Sequence, residues 1–273
     1  MAEQMTFKRY EIKYRVTKEE KARILEAMAD HMIPDEHGRS VIQSMYYDTP
    51  DFRLARKSME KPEYKEKLRL RSYGVAKDDT GVFIELKKKY DGVVYKRRIQ
   101  MSSKEAESYL NHGIDTGYEA KASRKDVQIK KEIDYCFANY THLQPQIMLS
   151  YEREAFYDKD DHEIRMTFDE HVLWRNYDLS MTKGIYGEPV LDEGYSLLEI
   201  KVLGTMPLWM SKVLAELKIY PNSFSKYGTA YTILYDRMKN ALEPSLRTSF
   251  AGSTILLGQT AYNSRKRPEV AYS

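Results

Sequence analysis

Three consecutive stretches of the chain decide the fold: residues 65–73 read KEKLRLRSY, residues 82–89 read VFIELKKK and residues 93–101 read VVYKRRIQM. Charged and apolar residues alternate in each stretch, which is the period of a β-strand with one polar and one apolar face. Residues 90–92 (YDG) join the second stretch to the third, and Asp-Gly is a strong hairpin signal. We therefore predict three neighbouring antiparallel strands.

The rest of the chain mixes the same strand period with helical periods. Further strands are predicted at 7–16, 40–48, 147–157, 162–169 and 195–203. Helices are predicted from Thr17, which forms a capping box with Glu20, to near Pro34; from Ser102, which forms one with Glu105, to near Gly113; and at about 121–140, 208–219 and 227–242. We predict an α+β fold in one domain, residues 1–243, with a loosely ordered tail at 244–273.

Composition excludes several classes of protein. The 273 residues include 44 Lys or Arg and 41 Asp or Glu, and a net charge of +3 gives no reason to expect nucleic acid as a partner. The single cysteine, Cys136, excludes an intramolecular disulfide and a cysteine-based zinc site. No apolar run is long enough to cross a membrane and no signal peptide is visible, so we expect a cytoplasmic protein without a transmembrane segment.

The polar faces of the predicted strands carry mainly cations, with a few carboxylates. They present Lys67, Arg69 and Arg71; Glu85, Lys87 and Lys89; Lys96 and Arg98; Tyr151 and Arg153; Arg165 and Asp169; and Glu199 and Lys201. One interpretation is a set of solvated outer faces. The other is a closed barrel, covered outside by helices, whose cations converge on one space. Converging cations need a polyanion between them, and Arg with Lys suits a chain of phosphates.

The carboxylates on the same faces, among them Glu11, Asp169 and Glu199, need a separate explanation. Near a triphosphate they would repel it unless they hold a divalent metal that bridges to phosphate oxygens. Alternatively each carboxylate pairs with a neighbouring cation, as Glu11 with Lys13 or Glu199 with Lys201. The residues alone leave both interpretations open.

Eight motifs in order carry a family resemblance. RYEIKY, YYDT, KLRLR, FIELKKK, YEREAF, IRMTFD, LLEIKV and SFSKY, between about residues 7 and 240, resemble the catalytic domain of the vacuolar transporter chaperone (VTC) polyphosphate polymerases, within the triphosphate tunnel metalloenzymes. The resemblance implies an antiparallel β-barrel tunnel with peripheral helices, which binds ATP with Mn²⁺ or Mg²⁺. It implies transfer of the ATP γ-phosphate onto a growing polyphosphate chain.

The resemblance also implies roles for individual residues. The phosphate-binding cations would be Lys13, Arg69, Arg71, Lys87, Lys96, Arg153, Arg165 and Lys226. Tyr151 and Ser225 would flank the phosphates, and Glu199 matches the metal-binding glutamate. From their strand faces, Arg98 and Lys201 are added as substrate-binding candidates, and Glu11 and Asp169 as metal-binding candidates.

Departures from the family patterns narrow the alternatives. The hydrolytic and cyclase branches begin with Glu-x-Glu-x-Lys, and here Arg9 takes the first of these positions, which favours a polymerase. An inorganic triphosphatase and a non-catalytic polyphosphate-binding module stay open. There is no P-loop, and Cys136 is expected to be a buried residue and not a nucleophile. We expect Lys67, Lys88, Lys89, Arg97 and the cluster Arg265-Lys266-Arg267 to lie outside the tunnel or at its mouth.

Overall fold

A computed structural model describes residues 9–91, 93–113, 117–120 and 122–250, with the backbone alone at Arg9 and at residues 242–250. The chain divides into two compact units, residues 1–232 and 233–273. The first unit contains the sheet and the start of the last helix, and the second continues that helix. The helix extends through residues 244–250, which the sequence assigns to the tail. The remainder of the tail, with Arg265-Lys266-Arg267, lies outside the described residues.

Nine strands and six α-helices are described, with a short 3₁₀ turn at Tyr118–Ala120. The strands are β1 (Arg9–Thr17), β2 (Met32–Asp48), β3 (Tyr64–Tyr73), β4 (Gly81–Tyr90), β5 (Val93–Ser102), β6 (Gln144–Asp158), β7 (Arg165–Arg175), β8 (Glu188–Pro189) and β9 (Tyr195–Leu203). The helices are α1 (Lys18–Met28), α2 (Arg53–Met59), α3 (Ser103–His112), α4 (Arg124–Asn139), α5 (Leu208–Glu216) and α6 (Lys226–Phe250).

The strands form one antiparallel sheet in the order β1-β9-β7-β6-β2-β3-β4-β5, with β8 paired to β7. The predicted antiparallel α+β fold is confirmed, but the closed barrel is wrong. Within the described residues no ladder joins the edge strands β1 and β5. The segment before α6 instead lies beside β1, where the Asn222 amide donates to the Lys13 carbonyl at 2.7 Å. The sheet nevertheless curls, as the distance of 3.7 Å between Lys87 Nζ on β4 and Glu11 Oε2 on β1 shows.

The apolar faces of the strands lie under the helices. One buried cluster joins Leu68 and Leu70 of β3 to Ile133 of α4, and a second joins Phe168 of β7 to Ile24 of α1. Burial of such side chains stabilises the fold by about 1.5–3 kcal/mol each. The apolar faces of the strands therefore form the core together with the helices. The polar faces are available for a functional site. No helix among the described residues is long and apolar enough to span a membrane.

Capping-box signals in the sequence predicted the starts of two helices correctly, and the start of a third helix was missed. Thr17 and Ser102 form the predicted capping boxes; the Glu20 carboxylate, for example, accepts the Thr17 amide proton at 2.7 Å. Helix α1 ends at Met28, however, and Pro34 lies inside β2. Helix α2 was not predicted, because its N-cap residue, Phe52, has no capping side chain. The Thr49 hydroxyl accepts its first amide proton, from Arg53, and the Asp48 carboxylate accepts the next two, from Leu54 and Ala55.

Cys136 is buried in α4, as predicted, and burial raises the pKa of its thiol to about 12. Because the thiolate is the nucleophile, we expect native protein to resist alkylation by iodoacetamide at neutral pH. Denatured protein should react fully. Mass spectrometry after a short pulse of reagent measures both states, and rapid labelling of the native chain would contradict this assignment.

Candidate functional site

The polar face of the curled sheet, here called the inner face, carries the charged residues that alternate with the core. It includes Glu11, Lys13, Lys67, Arg69, Arg71, Glu85, Lys87, Lys96, Arg98, Arg153, Arg165, Asp169, Glu199 and Lys201. Lys226, at the start of α6, joins this set through its ion pair with Asp169. Cations therefore greatly outnumber carboxylates among these residues.

On β1 and β9, strand register places opposite charges side by side. Lys13 is the register partner of Glu199, and Glu11 is the partner of Lys201. Lys13 Nζ lies 3.2 Å from Glu11 Oε1 and 3.6 Å from Glu199 Oε2, and Lys201 Nζ lies 2.6 Å from Glu199 Oε1. Lys13 therefore stands between two carboxylates, and the pairs proposed as the alternative to metal binding are present.

These carboxylates are held in the ionised form. Burial alone would raise the pKa of Glu199, but the charges of Lys201, Lys13 and Arg153 outweigh burial and hold it well below its usual range. The pKa of Glu11 is also lowered: burial and the nearby Glu199 would raise it, and the surrounding lysines prevail. Two ionised carboxylates are thus available at this end of the inner face.

A second cluster joins β6, β7 and the start of α6. Arg153 donates two hydrogen bonds to Asp169, at 2.6 and 2.8 Å, and Lys226 Nζ lies 2.5 Å from Asp169 Oδ2. Asp169 is fully buried; burial would raise its pKa, but Lys226 and Arg153 lower it. The carboxylate therefore fixes two phosphate-binding candidates, one of them on α6.

A third cluster surrounds Glu85 on β4, whose side chain is only 1% exposed. Arg69 donates to Glu85 Oε2 through Nε and Nη2 at 2.8 and 2.6 Å, and Lys96 Nζ lies 2.7 Å from Oε1. Arg71 and Arg98 lie within 3.9 Å of the same carboxylate. Burial would raise the pKa of Glu85, but the cations lower it to about 2. One carboxylate thus orders four cations.

Buried tyrosines support these cations. Arg69 Nη1 donates to the Tyr46 hydroxyl at 2.9 Å, and the Tyr46 ring stacks on Tyr227 with centroids 4.3 Å apart. Tyr227 donates to Asp48 at 2.7 Å, which ties α6 to β2. Burial would raise the pKa of Tyr46, but Arg69 and other cations lower it to about 8. Sequence reasoning missed Tyr46, because the candidates were found from the alternation of charged residues and Tyr46 is uncharged in that pattern.

Tyr151 and Ser225, predicted to flank the phosphates, both contact inner-face cations. Arg71 Nη2 donates to the Tyr151 hydroxyl at 3.1 Å. Ser225 Oγ accepts a hydrogen bond from Lys67 Nζ at 3.2 Å and another from the Gly228 amide at 3.1 Å in the first turn of α6. Both hydroxyls thus belong to the inner face.

Lys67, which was expected outside the tunnel or at its mouth, lies on the inner face instead. Lys67 lies two residues before Arg69 on β3 and therefore shares a face with Arg69 and Arg71. Its register partner on β4 is Lys87. Burial, reinforced by neighbouring lysines, lowers the pKa of Lys67 to about 8. The two-residue period places it on the inner face, but none of the family motifs assigns it a role.

Arg165 is separated from these clusters. It shares the face of Asp169 and is the register partner of Lys201, but its side chain is exposed and its Nε donates to the His162 carbonyl at 3.5 Å. It therefore stands at the rim of the inner face, and its role in phosphate binding stays a prediction.

Lys88 and Arg97 point away from the inner face, as predicted. Their side chains lie 3.4 and 3.2 Å from the carboxylate of Glu132 on α4. Lys89 lies next to the β4–β5 hairpin, at the position predicted for the mouth. Lys88 and Arg97 therefore provide outward-facing controls for the inner face.

The three predicted metal ligands do not form one compact group. Among the described residues, the set of three potential ligands that converge is Asp35, Glu36 and His37, which lies on the surface. Asp169 is held by its two cations, whereas Glu11 and Glu199 share Lys13. Glu11 and Glu199, which are both ionised and both lie beside Lys13, offer the carboxylate oxygens that Mg²⁺ and Mn²⁺ prefer as ligands.

Comparison with known proteins shows the family of this chain. The family model of the VTC domain matches residues 8–235, which include all nine described strands. The chain belongs to the VTC domain family. It is 24% identical over 237 residues to vacuolar transporter chaperone complex subunit 4 of Schizosaccharomyces pombe, a match that covers 73% of this chain. The VTC domain chain spans about a third of that relative, since the match covers 32% of its length.

Solved structures are more distant from this VTC domain. A candidate adenylate cyclase from Vibrio parahaemolyticus has a TM-score of 0.42 and 12% identity, with 84% of this chain and 99% of that chain covered. A protein of Pyrococcus horikoshii has a TM-score of 0.34 and 12% identity, with 77% and 86% covered.

The inner face of the VTC domain supplies charge and position, and the one cysteine of the chain, Cys136, is buried in α4. Its Arg residues offer forked donors, and its Lys residues offer compact charges that suit phosphate oxygens. The carboxylates hold these cations in place before a ligand arrives. Such preorganised charge is the main contribution that proteins make to phosphoryl transfer.

Proposed function

We propose that this VTC domain is a metal-dependent polyphosphate polymerase that transfers the γ-phosphate of ATP onto a growing polyphosphate chain. The observation that carries the proposal is the convergence of Lys13, Arg69, Arg153 and Lys226 on one curled face, each fixed by a buried or partly buried carboxylate. The family and the named relative support the same substrate class. The reaction is proposed to take place in the cytoplasm.

The reaction needs positioning more than acid–base chemistry. A terminal phosphate oxygen of the chain attacks the γ-phosphorus of ATP, a new P–O bond forms, and the bond to the β-phosphate oxygen breaks to release ADP. The attacking oxygen is already ionised near neutral pH, so no side chain has to remove a proton. The inner-face cations hold the two anions close and stabilise the transferring group.

Glu11 and Glu199 are the proposed ligands of Mn²⁺ or Mg²⁺. A divalent ion there would neutralise charge on the phosphate oxygens it shares with the protein. Lys13, which lies between the two carboxylates, then faces the phosphates. Asp169 is proposed as a metal ligand only in second place, because its side chain is fully buried and accepts hydrogen bonds from both Arg153 and Lys226.

The product of the reaction tests the proposal. The purified chain is incubated with ATP and either Mn²⁺ or Mg²⁺, and the products are separated on a polyacrylamide gel stained for polyphosphate. A polymerase yields long chains together with ADP. Release of inorganic phosphate without chains would identify a triphosphatase, and binding without turnover would identify a binding module.

Arg69 and Arg165 distinguish the centre of the site from its rim. Arg69→Ala removes charge-assisted contacts, and we expect tripolyphosphate binding to weaken about tenfold or more. Arg165→Ala should weaken it less, because an exposed charge is screened by water and salt. Isothermal titration calorimetry measures both, with the outward-facing Arg97→Ala as the control. If Arg69→Ala binds tripolyphosphate with the affinity of the wild type, Arg69 of β3 does not belong to the binding site.

A further inference from the structure

Lys67 differs from its neighbours on the inner face in the partners it has. Carboxylates lie within 4.0 Å of its neighbours Lys13, Arg69, Lys87 and Lys96. In the part of the chain that the structure describes, Lys67 has no such partner. Its Nζ donates to Ser225 Oγ at 3.2 Å and lies 5.8 Å from the centroid of the Tyr227 ring. Its positive charge is therefore not balanced by a carboxylate of the protein.

The surroundings of Lys67 are also cationic. Lys67 faces Lys87 in the β3–β4 register, and Lys87 faces Lys96 in the β4–β5 register, so three lysines form a row across the sheet. Like charges directly opposite each other destabilise a sheet. Glu11 and Glu85 relieve two of the three positions, and the position of Lys67 is left for an external anion.

We propose that Lys67 and Ser225, with Lys87 opposite, form a further phosphate subsite that binds one phosphoryl group of a tri- or polyphosphate. The lysine donates charge-assisted hydrogen bonds to the phosphoryl oxygens, and the serine hydroxyl fixes their position. This subsite rests on the proposed function, because its ligand belongs to the same phosphate chain.

The subsite has a distinct pH dependence. Lys67 is faced by Lys87 of β4, Lys13 of β1, Tyr46 of β2 and, on its own strand, Lys65. Burial, followed by the lysine charges, lowers its pKa to about 8, against the opposing effect of Tyr46. A bound phosphate raises the pKa of Lys67, so binding takes up a proton near this pH. Affinity is then highest below about pH 8 and falls as the pH rises through it.

Tyr46 titrates in the same range as Lys67. Its pKa is lowered to about 8, and an ionised phenolate would repel phosphate. It therefore adds to the loss of affinity at high pH. A Tyr46→Phe background removes this contribution. It also removes the effect by which Tyr46 raises the pKa of Lys67, so any remaining loss of affinity begins at a lower pH and is due to Lys67.

Binding of inorganic tripolyphosphate, without metal and with EDTA, tests the subsite independently of turnover. We expect Lys67→Met to weaken binding about tenfold at pH 7, whereas the outward-facing Lys88→Met binds like the wild type. Lys67→Arg should bind well at pH 7. In the Tyr46→Phe background, affinity should fall about tenfold between pH 7 and pH 9 with Lys67 and change little with Arg at this position.

The outcomes separate this subsite from the proposed reaction. Equal affinity of wild type and Lys67→Met overturns the subsite and leaves the polymerase proposal intact. If Lys67→Met does not fold, which circular dichroism shows, the Lys67→Arg comparison decides, and an unchanged pH profile overturns the subsite. No binding by the wild type without metal overturns the subsite and leaves the metal-dependent reaction to the product assay with Mn²⁺ or Mg²⁺. Weakened binding in the variant by a protein that makes no polyphosphate supports the subsite and contradicts the reaction.

Discussion

Replacing Glu199 with Gln is expected to lower the rate of polyphosphate synthesis about 100-fold or more, with the fold retained. Glutamine has nearly the same shape but no charge, so it neither holds a divalent ion well nor fixes Lys13 and Lys201. Both lysines contact Glu199, at 3.6 and 2.6 Å. Initial rates of chain formation from ATP, at saturating Mn²⁺ or Mg²⁺, measure the loss.

Glu132→Gln is the matched control for this variant. Glu132 is also a carboxylate shared by two cations, Lys88 and Arg97, but it lies on α4, away from the inner face. We expect its rate to equal that of the wild type. Direct Mn²⁺ binding, followed by electron paramagnetic resonance, should weaken about tenfold or more in Glu199→Gln alone. Unchanged Mn²⁺ binding would exclude Glu199 as a ligand, whatever the rate.

The two-residue period explains why so much of the inner face could be predicted. In a strand, residues two apart share a face, so the alternation that makes Leu68 and Leu70 core residues also places Arg69 and Arg71 opposite the core. The capping boxes at Thr17 and Ser102 were equally local and were confirmed. Features that depend on neighbours in sequence were thus accessible.

Features that depend on contacts between residues far apart in the sequence could not be predicted. The closed barrel was wrong because the alternation does not show whether edge strands pair, and the segment around Asn222 lies beside β1. Asp48, which accepts the Leu54 amide proton in α2, also accepts a hydrogen bond from Tyr227, which lies 179 residues later in the chain. Contacts such as Tyr227–Asp48 and Asn222–Lys13 join residues far apart in the sequence, and no periodic signal predicts them.

Lys67 shows the difference within a single strand. Its inward direction follows from the same period as Arg69, and the alternation predicts both residues on one polar face. Its lack of a carboxylate partner among the described residues could not be predicted, because Glu85 turns toward Arg69 and Lys96 and not toward Lys67. Ion-pair choice depends on distances of a few ångströms across strands, which register alone does not determine.

Glu85→Gln is expected to lower the free energy of unfolding by about 3–5 kcal/mol, the typical cost of breaking a buried ion pair from one side. The side chain is 1% exposed and is shared by Arg69, Arg71, Lys96 and Arg98, so its loss leaves four cations close together. Urea denaturation, followed by circular dichroism, measures the change. Glu132→Gln is again the control, since a surface pair contributes about 0–1 kcal/mol.

The pH dependence of stability tests the cause of that loss. The pKa of Glu85 is about 2 in the folded chain, against an ordinary value of 4.5. A lowered pKa stabilises the fold fully above pH 4.5, and this stabilisation is lost as the pH falls toward 2. The wild type should therefore lose stability over this range more steeply than Glu85→Gln does. Adding Arg69→Met to Glu85→Gln should restore part of the loss, because one unpaired buried cation is removed with its partner. Parallel acid profiles of wild type and variant would show that Glu85 does not hold these cations together.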